Sequence, residues 1–138
     1  MQRILCLDYG EKRIGVALSD PLGLTAQSQP YLANDKTLWP QLKTLIDTYS
    51  VTKIIVGLPK NRHGQDTAKT EEIRKFSEKL KEKIGVEVIF QNEAYSTKAV
   101  ERYLIEADVS RKKRREVVDS QSAAFVLQGY LDKIILNS

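Results

Sequence analysis

Leu5-Cys6-Leu7-Asp8-Tyr9-Gly10-Glu11-Lys12-Arg13-Ile14-Gly15-Val16-Ala17-Leu18-Ser19-Asp20 reads as an apolar strand, a tight turn and a second apolar strand. Asp8 stands where the first apolar run ends. A carboxylate at the end of a buried strand is costly unless a cation or a hydrogen-bond donor meets it. The residues alone leave two roles open for it: capping the turn toward Gly10, as Asp often does, or holding a ligand.

The first strand is predicted from Arg3 to Tyr9, the turn at Gly10-Glu11-Lys12, and the return strand from Arg13 to Ser19. Pro21-Leu22-Gly23 signals the next turn, and a weaker strand follows near Leu24 to Tyr31. These three strands should form an antiparallel meander. Asn34 or Asp35 is placed to cap a helix whose apolar face is Leu38, Leu42, Leu45, Ile46 and Tyr49. The run Lys53 to Leu58 is apolar on both faces and β-branched, as expected of an interior strand covered by helices, and Pro59 ends it. A polar loop from Lys60 to Asp66 leads to a helix with Ile73, Phe76, Leu80 and Ile84 on one face, closed by Gly85. Val86 to Phe90 is the fifth strand. Ser96 is placed to cap a helix carrying Val100, Tyr103, Leu104 and Ala107, and a last helix is predicted from near Glu116 to about Ile134. A meander followed by β-α-β-α-β gives a mixed five-stranded sheet with helices on both faces, in one α/β domain spanning residues 1–138.

The bulk properties set bounds. The 138 residues suffice for a hydrophobic core without covalent staples. The single cysteine, Cys6, falls in the first apolar run and reads as a small buried hydrophobe, which suits a reducing cytoplasm. No signal-peptide pattern opens the chain, and no apolar run approaches the ~20 residues of a membrane span. The net charge of +4, from 22 basic and 18 acidic residues, suits a polyanionic partner without requiring one.

Most acids lie on mixed, solvated helix faces, as Glu71, Glu72, Glu78 and Glu82 do. Three differ. Asp8 ends the first strand, Glu93 follows the fifth, and Asp119 shares a helical face with Ala123, Val126 and Tyr130. A first-turn acid complementing the helix dipole is the plainer reading of Asp119, though the outward-facing Glu116 would serve as well. In open α/β sheets, sites form at the carboxyl ends of the parallel strands, where Asp8 and Glu93 both belong. A last helix packed across that edge brings Asp119 to them. Three converging carboxylates repel unless cations lie between them, and oxygen ligands without a Cys or His cluster suit Mg²⁺ or Mn²⁺. Two such ions ~4 Å apart can serve phosphodiester hydrolysis. With the fourth strand between the first and fifth, Asp8 and Glu93 would be roughly 10 Å apart at the backbone, which two side chains and bridging ions can span.

Arg111-Lys112-Lys113-Arg114-Arg115 puts five cations just ahead of Asp119. Such runs are commonly only solvated, but beside a metal site this one would grip phosphates. Lys60, Arg62 and Lys69 around the loop after the fourth strand, and Lys12 and Arg13 at the hairpin, would extend the grip, while Gly57 and Gly64 admit close backbone approach. His63 reads as a surface residue. Trp39 and most tyrosines fall at core or helix-face positions, so no aromatic stacking platform is predicted. No Walker loop, dinucleotide fingerprint or Ser/His/Asp set is present.

The stretch from Leu7 to Ala17 resembles the opening motif of the YqgF (RuvX) family. Ile55-Val56-Gly57-Leu58-Pro59 with Gly64 resembles its second motif, Asn92-Glu93-Ala94-Tyr95-Ser96-Thr97 its third, and Val118 to Ala124 with the Leu127 to Leu131 tail its last. The resemblance spans essentially the whole chain. It implies a ribonuclease-H-like fold related to Holliday-junction resolvases, in a cytoplasmic bacterial nuclease acting on the 5′ end of precursor 16S rRNA. By motif, Asp8, Glu93 and Asp119 fall on the family's catalytic, metal-holding carboxylates, and Gly10, Gly15, Gly57, Pro59, Gly64, Ser96 and Thr97 on its structural positions. The third motif departs from the family's Asp-Glu-Arg: Ala94 replaces the arginine and its rigid bidentate donor.

The expected function is a Mg²⁺- or Mn²⁺-dependent endonuclease maturing ribosomal RNA, free or in a preribosomal particle, as a monomer or homodimer and away from membranes. One rival is a resolvase of four-way DNA junctions, which would work as a dimer on a two-fold symmetric substrate. Another is a non-catalytic RNA-binding module on the same fold, which the missing arginine favours. The Asp-x-Gly hairpin also resembles the first phosphate loop of the actin-like ATPases, a fold that needs two such domains and more residues than this chain has.

Overall fold

Eight elements carry the described structure: β1 (Arg3–Asp8), β2 (Arg13–Ser19), β3 (Ala26–Ala33), α1 (Leu38–Tyr49), β4 (Val51–Leu58), α2 (Ala68–Ile84), β5 (Glu87–Asn92) and α3 (Arg111–Leu136). This computed structural model describes residues 3–58, 68–92 and 110–136, with Asn92 and residues 111–121 placed by their backbone. The helix expected after Ser96 lies outside the described residues.

The strands form one sheet in the order β3-β2-β1-β4-β5. β1, β2 and β3 are the expected antiparallel meander, and β4 runs parallel to both β1 and β5. β4 therefore lies between β1 and β5, as an interior strand apolar on both faces should. Its Ile54, Ile55 and Val56 are fully buried.

Strand alternation divides the core in two. Leu5, Leu7, Ile14, Val16, Leu18, Ile54 and Val56 pack with Leu38 and Leu42 of α1 and Ile73, Phe76 and Leu80 of α2. Cys6, Ala17 and Ile55 face the other way, onto Ala123, Ala124, Val126, Leu127 and Leu131 of α3. Helices thus cover both faces, and the side chains under α3 are mostly small.

Several boundaries differ from expectation: β1 ends at Asp8 rather than Tyr9, β3 runs on to Ala33, β4 begins at Val51 rather than Lys53, and β5 is Glu87–Asn92 rather than Val86 to Phe90. Three others differ for a local reason. β3 begins at Ala26, not near Leu24, because the Asp20 turn reaches further. The Leu24 and Thr25 N–H groups both donate to Asp20 Oδ1, at 2.7 and 3.2 Å, and the Asp20 N–H donates to the Thr25 carbonyl at 2.9 Å. Neither Asn34 nor Asp35 takes the N-cap position of α1, which belongs to Thr37. Asn34 instead closes the β1–β2 turn, its amide donating to the Gly10 carbonyl at 2.7 Å and its N–H to the Lys12 carbonyl at 3.0 Å. Asp35 holds the approach to the helix, accepting the Thr37 N–H at 2.8 Å. Finally, α3 begins at Arg111 rather than near Glu116 and ends at Leu136 rather than Ile134. Arg and Lys are good helix formers, so the cationic run makes the first turns of the helix instead of a loop before it.

Gln128 ties α3 to the start of β3. Its Oε1 accepts the Ala26 N–H at 2.9 Å, and its Nε2 donates to the Leu24 carbonyl at 3.0 Å and to Asp132 Oδ1 at 2.9 Å. Gln128→Ala leaves the half-buried Ala26 N–H without that acceptor and should cost about 1–3 kcal/mol, read from the urea unfolding free energy.

The Asp20 carboxyl is held below its ordinary value, chiefly by the Thr25 N–H, against an opposing effect of desolvation, with the Leu24 N–H, the Thr25 hydroxyl and the Gly23 N–H adding to the lowering. A depressed carboxylate contributes stability that is complete above its unfolded value and lost as pH falls through its folded one. The stability difference between wild type and Asp20→Asn should therefore be flat above pH about 5 and shrink below about 4, as followed by urea unfolding at each pH.

Candidate functional site

The parallel strands β1, β4 and β5 share one carboxyl edge, the place where open α/β sheets bind ligands. Asp8 is the last residue of β1 and is half-buried. Alternation puts it on the same face as Cys6, the face that α3 covers. Leu7 pairs with Val56, so the next step sets Asp8 level with Gly57, which pairs in turn with Gln91. Asp8, Gly57 and Gln91 form one row across three strands, and its middle member has no side chain. Glu93 follows Gln91 by two positions in the chain and lies outside the described residues.

The course of α3 follows from two contacts. Tyr130 meets Lys53 near the start of β4, where the Lys53 ammonium donates to the phenol oxygen at 3.4 Å. Ala123 lies over Gly15, the residue paired with Asp8. A Cβ on Gly15 would stand 3.2 Å from the Asp8 Cβ, 3.7 Å from Tyr31 Cε1 and 3.8 Å from the Ala123 Cβ. The helix therefore runs from the carboxyl edge back across the sheet. Asp119 precedes Ala123 by one helical turn, so its backbone belongs to the stretch that reaches the Asp8 edge. The turns of Arg111 to Arg115 lie further out along the same helix.

A cleft of about 270 Å³ opens here, lined by Asp8, Tyr9, Gly10, Arg13, Tyr31 and Ser122. Tyr31 enters through an irregularity in β3: Ile14 pairs with Leu32 but Val16 with Gln29, so β3 has an extra residue at Pro30-Tyr31. Such a bulge re-aims side chains, and Pro30, which has no N–H for the ladder, is suited to it. The Arg13 guanidinium lies 4.8 Å above the Tyr31 ring. Sequence reasoning missed Tyr31, and a proline inside an otherwise regular strand was the available signal. The turn after Asp8 needs glycine at position 10, where a Cβ would stand 2.5 Å from the Arg13 carbonyl oxygen.

Of the other anticipated residues, Lys12 is exposed at the hairpin turn, and Lys69 is exposed at the start of α2 beside a recess shared with Tyr9 and Glu11. Gly57 is buried in β4. Pro59, Lys60, Arg62, His63, Gly64, Ser96 and Thr97 lie outside the described residues. Among the described residues no three His, Cys, Asp or Glu side chains gather as a metal site; Glu93 is outside them and Asp119 enters by its backbone position.

The sheet order and the helix laid across its carboxyl edge are those of the ribonuclease-H-like nucleases and resolvases. The fold is similar to T. thermophilus RuvC in complex with Holliday junction substrate, with a TM-score of 0.59 at 10% identity over 100% of this chain and 98% of that one. It is also similar to the fowlpox virus Holliday junction resolvase, with a TM-score of 0.51 at 15% identity over 96% and 99% of the two chains. Residues 2–133 match the family described as "RuvX: Holliday junction resolvase". Curated relatives bearing the name "Putative pre-16S rRNA nuclease" are 48% identical in Desulforamulus reducens, over 94% of this chain and 96% of the relative, and 45% identical in Listeria innocua, over 94% and 97%. The chain belongs to the RuvX family.

Gly15 sets how closely α3 and Asp8 approach. Gly15→Val should push its methyl groups into Asp8, Tyr31 and Ala123 and destabilise the protein by about 1–3 kcal/mol. Gly15→Ala, which needs a shift of only a few tenths of an ångström, should lie at or below the low end of that range. Urea unfolding of the two variants checks the order.

Proposed function

We propose that this chain is a divalent-metal-dependent endonuclease that matures the 5′ end of precursor 16S rRNA in the cytoplasm. The carrying observation is Asp8: a carboxylate at the carboxyl end of β1, in a cleft bounded by α3 within one helical turn of Asp119. Asn34 closes the turn after Asp8, so that turn has its own brace. The names of the curated relatives support the substrate.

Asp8, Glu93 and Asp119 would hold Mg²⁺ or Mn²⁺, two ions in all. The half-buried Asp8 and the oxygen-only donor set fit such cations. When bound, the ions supply an activated water and charge stabilisation at the leaving oxygen. The chain's own residues position the strand. Arg13 sits in the cleft beside Asp8 and offers a guanidinium to a phosphate. Lys12, Lys60, Arg62 and the run Arg111 to Arg115 would hold the backbone on either side of the cut. That run occupies the positive end of the α3 dipole, where cations lose stability; a bound phosphate neutralises both. The substrate is precursor rRNA, free or within a preribosomal particle. Among the described residues no helix is long and apolar enough to cross a membrane.

The test is cleavage of a labelled precursor 16S 5′ leader with Mg²⁺ or Mn²⁺ against EDTA. Wild type should cut only with metal. Asp8→Asn, which keeps the shape and removes the charge, should lower cleavage by about 10²–10³-fold or more with an unchanged urea midpoint. Full activity of Asp8→Asn overturns the reading, and salt-sensitive binding without cutting favours an RNA-binding module.

A further inference from the structure

On the opposite face of the sheet from α3, a groove of about 480 Å³ lies between α1 and α2, lined by Tyr9, Trp39, Phe76, Lys36, Lys75 and Lys79. Its aromatic side chains pack together, half-buried Trp39 and Tyr9 on either side of the buried Phe76. Trp39 stacks on Phe76 at 5.8 Å and 29°, and Tyr9 meets Phe76 at 5.1 Å. Lys75, Lys79 and Lys83 recur every fourth residue along one stripe of α2 and are exposed. The Lys83 ammonium lies 5.6 Å from the Trp39 ring centroid. The sequence alone predicts no stacking platform, because Trp39 and Phe76 each read as ordinary apolar positions on separate helices.

Tyr9 is common to the groove, to the recess of about 300 Å³ beside Lys69 and to the cleft that holds Asp8, which places the groove next to the candidate active site around the sheet's carboxyl edge. The groove also holds two acids, so its cations are partly offset: Asp35, at the start of α1, stays ionised because the Thr37 hydroxyl and N–H hold its carboxyl below the ordinary value. Glu72 lies at the Tyr9 end, shared with the recess. Lys36, Lys75 and Lys79 line the groove with Trp39, and Lys83 stands over the Trp39 ring.

Aromatic faces flanked by cations recognise unpaired nucleotides, because every base has a face to stack and every linkage has a phosphate. A volume in the range of small-ligand sites is enough to seat an unpaired base, which a base held inside a duplex cannot offer. We propose that the groove between α1 and α2 holds an unpaired strand of the polynucleotide substrate. A base stacks on Trp39 in place of Lys83, and the freed Lys83, with Lys75 and Lys79, takes the adjoining phosphates. That the strand is the flank of the cut RNA rests on the nuclease reading; binding of an unpaired strand does not.

Trp39 is the only tryptophan of the chain, so its fluorescence reports the groove directly. The probe is an oligouridylate of about ten nucleotides, within the span such sites cover, titrated in EDTA so that nothing is cut. A blunt RNA duplex of equal length is the comparison. Wild type should show a saturable change in Trp39 emission with the single strand and none with the duplex. The exposed-site double variant Lys75→Ala/Lys79→Ala should bind about tenfold more weakly, and its slope of log affinity against log salt should fall by about 1.4, about 0.7 for each phosphate no longer neutralised. No binding, binding by anisotropy without a change in Trp39 emission, or equal affinity and slope in the double variant overturns the groove. A protein that cuts the leader without a Trp39 response overturns the groove alone. One that shows the response and never cuts overturns the nuclease reading alone.

Discussion

The architecture depends on how closely α3 approaches the sheet. Gly15 in β2 lies under Ala123 and beside Asp8, with no room for a side chain larger than a methyl. Cys6 and Ala17 continue the low floor, and Ala123 and Ala124 are the matching small residues on the helix. Small residues on both partners let the backbones draw near, so that dispersion contacts are made at short range. Had these positions carried Leu or Ile, the helix would ride higher and the Asp119 turn would move away from the carboxyl edge. Packing and site geometry are here the same constraint.

Much of this was legible in the residues. β2 spans Arg13 to Ser19 as its apolar run implies, and the run around Ile54 to Val56 announces an interior strand. Periodicity and apolar runs report what is buried, and burial dominates the sheet and the helix faces. Two of the misplacements occur where a single polar group decides. The Asp20 carboxylate captures Leu24 and Thr25 and delays β3. The Asn34 amide serves the neighbouring turn instead of its own helix. Neither choice leaves a periodic trace. At the candidate site, Asp8 was visible because a charge ended an apolar run. Tyr31 was not, because the pairing shift that aims it belongs to two strands at once. The groove floor of Trp39 and Phe76 likewise exists only once α1 and α2 lie side by side.

The basic run shows how a charge pattern changes meaning with its backbone. As a loop, five adjacent cations would be solvated and interchangeable. As the opening turns of α3, they have fixed angular spacing and stand against the helix dipole. That arrangement is a local conflict between charge and dipole, which a loop would not have.

The two faces of the sheet are unequally filled. The face under α1 and α2 buries Leu, Ile, Val and Phe side chains, while the face under α3 is floored by Cys6, Ala17 and Ile55 and met partly by alanines. α3 nonetheless packs against all five strands, with Val126, Leu127 and Leu131 buried against them. A helix that spans the whole sheet acts as a strap: the antiparallel meander and the parallel half of the sheet cannot part without first undocking it.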